Sequence, residues 1–157
     1  VQHTFEPVFD EHSRILILGS FPSVKSREIQ FYYGHPQNRF WKLMAQLLDV
    51  PIPQSIDEKK TMLLTHGLAL WDVIASCDIK GSSDSSIKNA VPADISRILK
   101  AADIQTIIAN GGTAFQLYGR YCEPVTGRPA ALCPSTSPAN AAFSLERLSE
   151  CWSKFII

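Results

Sequence analysis

The chain carries no excess charge of either sign: fifteen Lys and Arg balance fifteen Asp and Glu. Nucleic-acid binders commonly have a basic surplus. Contact with a polyanion would therefore need locally placed charge, backbone N–H groups or hydroxyls. No apolar run approaches the ~20 residues that cross a bilayer, and no secretory signal pattern is visible. The expectation is a cytoplasmic protein without membrane contact. Cys77, Cys122, Cys133 and Cys151 form no C-x-x-C pair, which leaves zinc and iron–sulfur sites without support. They read as reduced core residues.

His3, His12, His35 and His66 lack metal-ligand spacing. Also absent are the phosphate loop G-x-x-x-x-G-K-S/T, a G-x-G-x-x-G after the first strand and the G-x-S-x-G nucleophile elbow. Nucleotide-fold readings lose their usual anchor. A hydrolase assembled from Ser, His and Asp stays conceivable, but no such pair is placed by the sequence. No metal or organic cofactor is expected.

What is present fits one domain spanning 1–157, expected to be a monomer. The length is enough to bury a core without disulfides, at 45% hydrophobic and 19% charged residues. The apolar run after Arg14, to Leu18, reads as a buried strand ended by Gly19. Residues 19–37 read as a long loop, of the kind that usually carries function. Phe40, Leu43, Met44, Leu47 and Leu48 share a helical face, so a helix is predicted from about Asn38 to Asp49.

Ser55 and Glu58 form a capping box opening the next helix, which ends near Gly67. A second strand is predicted over 68–74 and a Ser-rich loop over 76–91. Pro92 then opens a helix carrying Ile95, Ile98, Leu99 and Ala102. A third strand is expected over 106–109, then a turn at Asn110-Gly111-Gly112 and a helix to about Tyr121. A fourth strand spans 129–133, and a final helix bears Leu145, Leu148, Trp152, Phe155 and Ile156. Strands alternating with helices predict an α/β fold. It is a three-layer α/β/α sandwich with a four-stranded, mainly parallel sheet.

Two loops stand out. Gly19-Ser20-Phe21-Pro22-Ser23 leaves the first strand, and Cys133-Pro134-Ser135-Thr136-Ser137-Pro138-Ala139-Asn140 leaves the fourth. Both leave carboxyl ends of strands, where open α/β sheets bind ligands. Rigid prolines and hydroxyl donors suit a grip on a phosphate backbone. Ser23, Ser135 and Ser137 are candidate phosphate contacts, with Pro138 and Asn140 on the same loop. The plainer reading is that they are ordinary turn residues.

With these loops, the block Tyr32-Tyr33-Gly34-His35-Pro36-Gln37-Asn38-Arg39-Phe40-Trp41 resembles the uracil-DNA glycosylase superfamily. The run His35 to Trp41 is similar to that of the mismatch-specific branch. The whole pattern, with Pro134 to Pro138, resembles the hypoxanthine-DNA glycosylase branch. The resemblance covers nearly the whole chain. It implies a monofunctional glycosylase acting on DNA that contains a deaminated base, hypoxanthine first and uracil second. Such an enzyme flips the damaged nucleotide out of the stack and directs water to C1′. No Lys lies in either motif apart from Lys25, so a Schiff-base lyase is not indicated.

Two positions depart from the superfamily pattern. Phe21 stands where many members have Asp or Asn to handle water, and Cys133 stands where the best-known branch has His. The catalytic polar group must come from elsewhere, and the resemblance points to Asn38. An Asn amide can orient water through its oxygen and donate through its NH₂. Asn38 can equally cap the helix that starts there. In the resemblance Tyr33 corresponds to an aromatic that stacks on the extruded base, and Phe21 is either an opposite wall or a packing residue. Alternatively, Tyr33 is a partly buried tyrosine with a solvated hydroxyl.

Asp72 corresponds to a base-reading position. It could accept the ring N–H of hypoxanthine or uracil, support an oxocarbenium-like sugar, or merely cap a turn. Arg39 reads as a structural salt-bridge residue and His35 as a loop former. The losses at Phe21 and Cys133, with zero net charge, keep a second class open: a non-catalytic nucleic-acid or nucleotide-binding module on the same fold.

Overall fold

The computed structural model describes residues 1–156. Its centre is a four-stranded parallel sheet made of β1 (Ile15–Gly19), β2 (Leu68–Asp72), β5 (Thr106–Asn110) and β6 (Ala131–Cys133), in the order β2-β1-β5-β6. Ile15 pairs with Leu68 on one side and with Thr106 on the other, and Asn110 pairs with Cys133. The near-continuous apolar runs of β1 and β5 follow from burial on both faces. Side-chain alternation then sorts them into two cores. Ile17, Leu70 and Ile108 pack with Phe40, Leu43, Met44, Leu63, Leu148 and Trp152. Leu16, Leu18, Ala69 and Ile107 pack with Ile95, Ile98 and Tyr118 on the opposite face.

The helices are α1 (Val24–Ile29), α2 (Phe40–Leu48), α3 (Ile56–Thr65), α4 (Ser96–Ala101), α5 (Gly112–Tyr121), α6 (Glu123–Thr126) and α7 (Leu145–Trp152). The three-layer α/β/α arrangement agrees with the reading of the sequence. The Ser55 capping box is in place: its Oγ accepts from Glu58 N–H at 3.1 Å and donates to the Glu58 carboxylate at 3.1 Å. No helix among the described residues is long and apolar enough to cross a membrane.

Three segments differ from expectation. Residues 19–37 are not one loop, because Ser23 caps the short helix α1 by accepting the Ser26 N–H. The expected 68–74 strand breaks at Val73. Beyond it, β3 (Ile74–Asp78) pairs antiparallel with β4 (Lys88–Pro92), where a Ser-rich loop was predicted. The irregular register and sparse apolar content of this hairpin hide its strand period. Pro92 ends β4 instead of opening a helix. An edge strand tolerates the missing N–H, and α4 starts only at Ser96. The segment before β1 also docks on this side, with bridges from Gln2 to Ser76 and from Val8 to Leu70.

Candidate active site

The carboxyl ends of β1, β2, β5 and β6 surround a cavity of ≈140 Å³. Its walls include Phe21, Ser23, Tyr33, Asn38, Asp72, Ser135, Ser137 and Pro138. The fold thus gathers eight of the nine candidate residues around one space, from four separate stretches of chain. Asn140 lines an adjoining groove that shares Ser135 and Ser137 with the cavity.

A hydrogen-bond chain ties the loops together. The Thr136 hydroxyl donates to Asn38 Oδ1 at 2.9 Å and accepts from Asn110 Nδ2 at 3.1 Å. The Thr136 N–H donates to Asn110 Oδ1 at 3.0 Å. Asn38 Oδ1 also accepts the Phe40 N–H at 2.9 Å. These two donors determine which way the Asn38 amide faces, since a flipped amide would set its NH₂ against an N–H. They also occupy both lone pairs of the oxygen. The Asn38 NH₂ finds no partner among the described residues. The N-cap of α2 is Arg39 rather than Asn38, whose side chain instead takes the first N–H of the helix while lining the cavity. What remains free is the donor edge rather than the acceptor edge.

Arg39 is structural, but not as an ion pair. Its guanidinium donates to the carbonyls of Phe143, Ser137 (2.8 Å) and Asn140 (3.1 Å), locking the second Pro-Ser loop to the start of α2. Trp152 Nε1 holds Pro134 O at 2.9 Å from the far side. Within that loop, Ser135 Oγ accepts the Ser137 N–H and Ser137 Oγ accepts the Ala139 N–H, each at 3.1 Å. Asn140 Nδ2 is engaged with Ser135 O at 3.0 Å. The loop is thus preorganised by its own hydroxyls. Close packing extends to Gly111, whose φ of 98° favours glycine and where a Cβ would press on Ser135. His35 shapes its own loop, with Nδ1 accepting the Gln37 N–H at 3.1 Å.

Tyr33 is held at a φ of 52°, a strained value for an aromatic residue. Its ring stacks on Phe40 with centroids 4.2 Å apart, while the residue also lines the cavity. Its hydroxyl is buried and makes no geometrically sound hydrogen bond. Burial, then the Asp72 carboxylate, push its pKa up, and the approaching Asn110 side chain opposes them. That approach falls short of bonding geometry, so the hydroxyl is neutral and unpaired. Phe21 is 7% exposed.

Asp72 is 3% exposed at the end of β2. His3 Nε2 lies 2.8 Å from its Oδ2. Oδ1 fills the space above Gly19, where a Cβ would collide with it. Among the described residues its side chain bonds His3 and no turn N–H. Cys133 is buried, and burial first of all pushes its thiol up to about 12. It cannot replace a histidine in proton transfer near neutrality.

Several cavity residues escaped sequence reasoning. Asn110 and Thr136 belong to stretches that read as turns, although the end of a parallel strand was itself a signal for Asn110. Ser20 and Asp84 also line the cavity. Asp84 sits on the exposed hairpin turn, yet its Oδ1 accepts the Ser20 hydroxyl at 2.8 Å. Burial of the carboxyl raises its pKa, the Ser20 bond lowers it and the Asp72 charge raises it further, with a net upward shift. Nothing in the hairpin sequence marked Asp84, because only the β3–β4 pairing carries it to the sheet edge. No Lys or Arg is among the described residues lining the cavity or the groove.

The sheet order, the loop pair and the cavity define a uracil DNA glycosylase fold, and the chain belongs to the uracil DNA glycosylase superfamily, whose family model matches residues 6–156. Within it, the chain falls in the hypoxanthine-DNA glycosylase branch. It is 37% identical over 155 residues to a hypoxanthine DNA glycosylase of Methanosarcina acetivorans, covering 96% of this chain and 95% of that protein. A hypoxanthine DNA glycosylase of Methanosarcina barkeri is 34% identical over 157 residues, covering 96% and 94%. The solution NMR structure of a provisionally designated uracil DNA glycosylase from Methanosarcina acetivorans superposes with a TM-score of 0.82. It has 34% identity and covers 97% of this chain and 94% of that one.

Proposed function

We propose that this chain is a monofunctional DNA glycosylase that excises deaminated bases, hypoxanthine first and uracil second, and so opens base excision repair. The observation that carries the reading is the grouping of Tyr33, Asp72 and the free Asn38 NH₂ around one cavity at the sheet edge. The full-length similarity to two proteins named hypoxanthine DNA glycosylases supports the same reading.

The duplex is gripped by hydroxyls of the two Pro-Ser loops, Ser135 and Ser137 above all, because most N–H groups of the second loop are already bonded. The damaged nucleotide leaves the stack at a cost of ~a few kcal/mol, least where pairing is already poor. Tyr33, braced by Phe40, offers its other face to the base, a contact worth ~1–3 kcal/mol in single-strand binders. Asp72 accepts the ring N–H, N1–H of hypoxanthine or N3–H of uracil. The Asn38 NH₂ donates to the oxygen of a water and holds it at C1′. As the C1′–N bond breaks, its electron pair goes to the base, and water adds to C1′. One water proton leaves with the base and the sugar keeps a hydroxyl. The Asp72 charge favours the oxocarbenium-like sugar.

The test is a panel of oligonucleotides carrying hypoxanthine, uracil, xanthine or a thymine mismatch. Excision of hypoxanthine fastest, leaving an unbroken abasic strand, is the expected result. Tight binding with no excision of any base would instead establish the non-catalytic module, for which the aromatic at Phe21 and the inert thiol of Cys133 speak.

A further inference from the structure

His3 is remote in sequence from both Pro-Ser loops, yet it ends beside the base cavity. Its backbone N–H donates to Ala75 O at 2.8 Å, and the neighbouring Gln2 bridges Ser76, so β3 carries the segment into place. The imidazole packs against Phe5 with centroids 4.4 Å apart, against Tyr32 at 5.9 Å and edge-on to Phe21 at 6.2 Å. In this aromatic cage its Nε2 meets Asp72 Oδ2 at 2.8 Å, with side-chain exposures of 4% and 5%. Gly19 leaves just enough room for the other oxygen, Oδ1. The carboxylate is therefore held on both sides. Asp72 lines the cavity, whereas His3 stands behind it and lines a separate cleft on the far side.

We propose that His3 is a specificity-determining positioning residue. By donating Nε2–H to Oδ2 it holds Asp72 as an acceptor with Oδ1 turned to the base edge. Bases with a ring N–H beside a carbonyl are then admitted, and adenine is refused. The inference rests on the reading that Asp72 faces the base. Its chemistry follows from the difference between adenine and its deamination product. Hypoxanthine presents N1–H, a donor. Adenine presents a lone pair at N1, which would face the Oδ1 lone pairs across a buried gap. A site built to accept one hydrogen rejects an analogue lacking it strongly, because its own polar group is then left unpaired. Without the imidazole N–H, the carboxyl group is free to turn its oxygens away from the base edge. Held at Oδ2 by His3, it keeps Oδ1 in one place.

Two measurements on the whole chain test this. The first is competition by free hypoxanthine and free adenine, with kcat and KM on deoxyinosine DNA, for wild type, His3→Leu, His3→Gln, Asp72→Asn and the double variant His3→Leu/Asp72→Asn. The expected result for His3→Leu is a loss of hypoxanthine-over-adenine preference of at least ~10-fold. His3→Gln, which keeps an N–H donor, should recover most of that loss. In the Asp72→Asn background His3→Leu should change the preference little, since the two residues act as one unit.

A preference in His3→Leu within ~3-fold of wild type, or equal shifts in the presence and absence of Asp72, would overturn the proposal. Should His3→Leu fail to fold, His3→Gln and the second measurement decide. This is the ¹⁵N spectrum of the wild-type imidazole, in which Nε2 must carry a proton whose signal moves in Asp72→Asn. A bare Nε2 would also overturn it. If wild type excises nothing, the glycosylase reading fails on its own, while free-base competition and the spectrum still judge His3.

Discussion

Thr136 and Asn38, 98 residues apart in sequence, are joined by one hydrogen bond of 2.9 Å from the threonine hydroxyl to the amide oxygen. Thr136 is 1% exposed and is also the acceptor for Asn110, so its single hydroxyl connects the end of β5 and the loop after β6 with the start of α2. Thr136→Val keeps the shape and deletes the hydroxyl. It leaves the Asn110 NH₂ without its acceptor and one lone pair of Asn38 empty, while the backbone N–H of residue 136 still bonds Asn110 Oδ1. We expect a loss of ~1–3 kcal/mol in urea unfolding, together with slower excision. Slower excision with unchanged stability would mean that the network orients Asn38 without holding the loops.

Asn38→Ala removes the free NH₂ and the bond to the Phe40 N–H at once. The expected outcome is a fall of at least ~100-fold in single-turnover excision of hypoxanthine with DNA binding little changed, as for loss of one positioned transition-state contact. Excision within ~3-fold of wild type would reduce Asn38 to its role at the start of α2.

Asp72→Asn exchanges an acceptor for a group that can also donate and removes a buried charge. The ratio of uracil to hypoxanthine excision, as kcat/KM on matched oligonucleotides, should shift more than tenfold, since one buried polar mismatch costs ~1–3 kcal/mol. An unchanged ratio would take Asp72 out of base reading.

Salt dependence follows from the lining of the cleft. No Lys or Arg is among the described residues lining it, and Arg39 is spent on loop carbonyls. Binding should release about two to four phosphate equivalents of counterion, giving a log–log slope of roughly −2 to −4. A slope near about −8 would reveal a broad basic footprint elsewhere on the surface.

Asp84 makes a pH prediction. Its carboxyl is held above the ordinary range by burial and by Asp72, so the folded state binds this proton more tightly than the unfolded state does. Its contribution to stability is present below the ordinary Asp pKa of ~3.9 and is lost as pH rises through the folded value. Asp84→Asn should therefore melt at a higher temperature than wild type near neutrality. The gain should shrink toward zero on acidification, as read from thermal melts between about pH 3 and pH 8. A gain independent of pH would assign the effect to the hairpin turn rather than to the charge.

The layer architecture was legible because parallel strands buried on both faces are largely apolar, as are β1 and the Ile107-Ile108-Ala109 centre of β5. The helix α2 was legible in the spacing of Phe40, Leu43, Met44 and Leu47. The hairpin β3–β4 was not. Its stability comes from cross-strand pairing with a shifting register rather than from any local period, and Ser and Asn favour turns when read singly.

The site divides in the same way. The residue types of both Pro-Ser loops and of the block ending at Trp41, and their positions at strand ends, belong to the sequence alone. With the family resemblance they carry, they single out Asn38, Tyr33 and Asp72. The free edge of Asn38 was decided by two donors, one of them Thr136 from a loop 98 residues away. The partner of Asp72 is His3, 69 residues distant, and the carboxyl of Asp84 was brought to Ser20 across 64 residues. Local chemistry specifies which groups a chain owns. Which lone pairs and N–H groups stay unpaired in a buried site depends on partners that only chain closure brings within 3 Å.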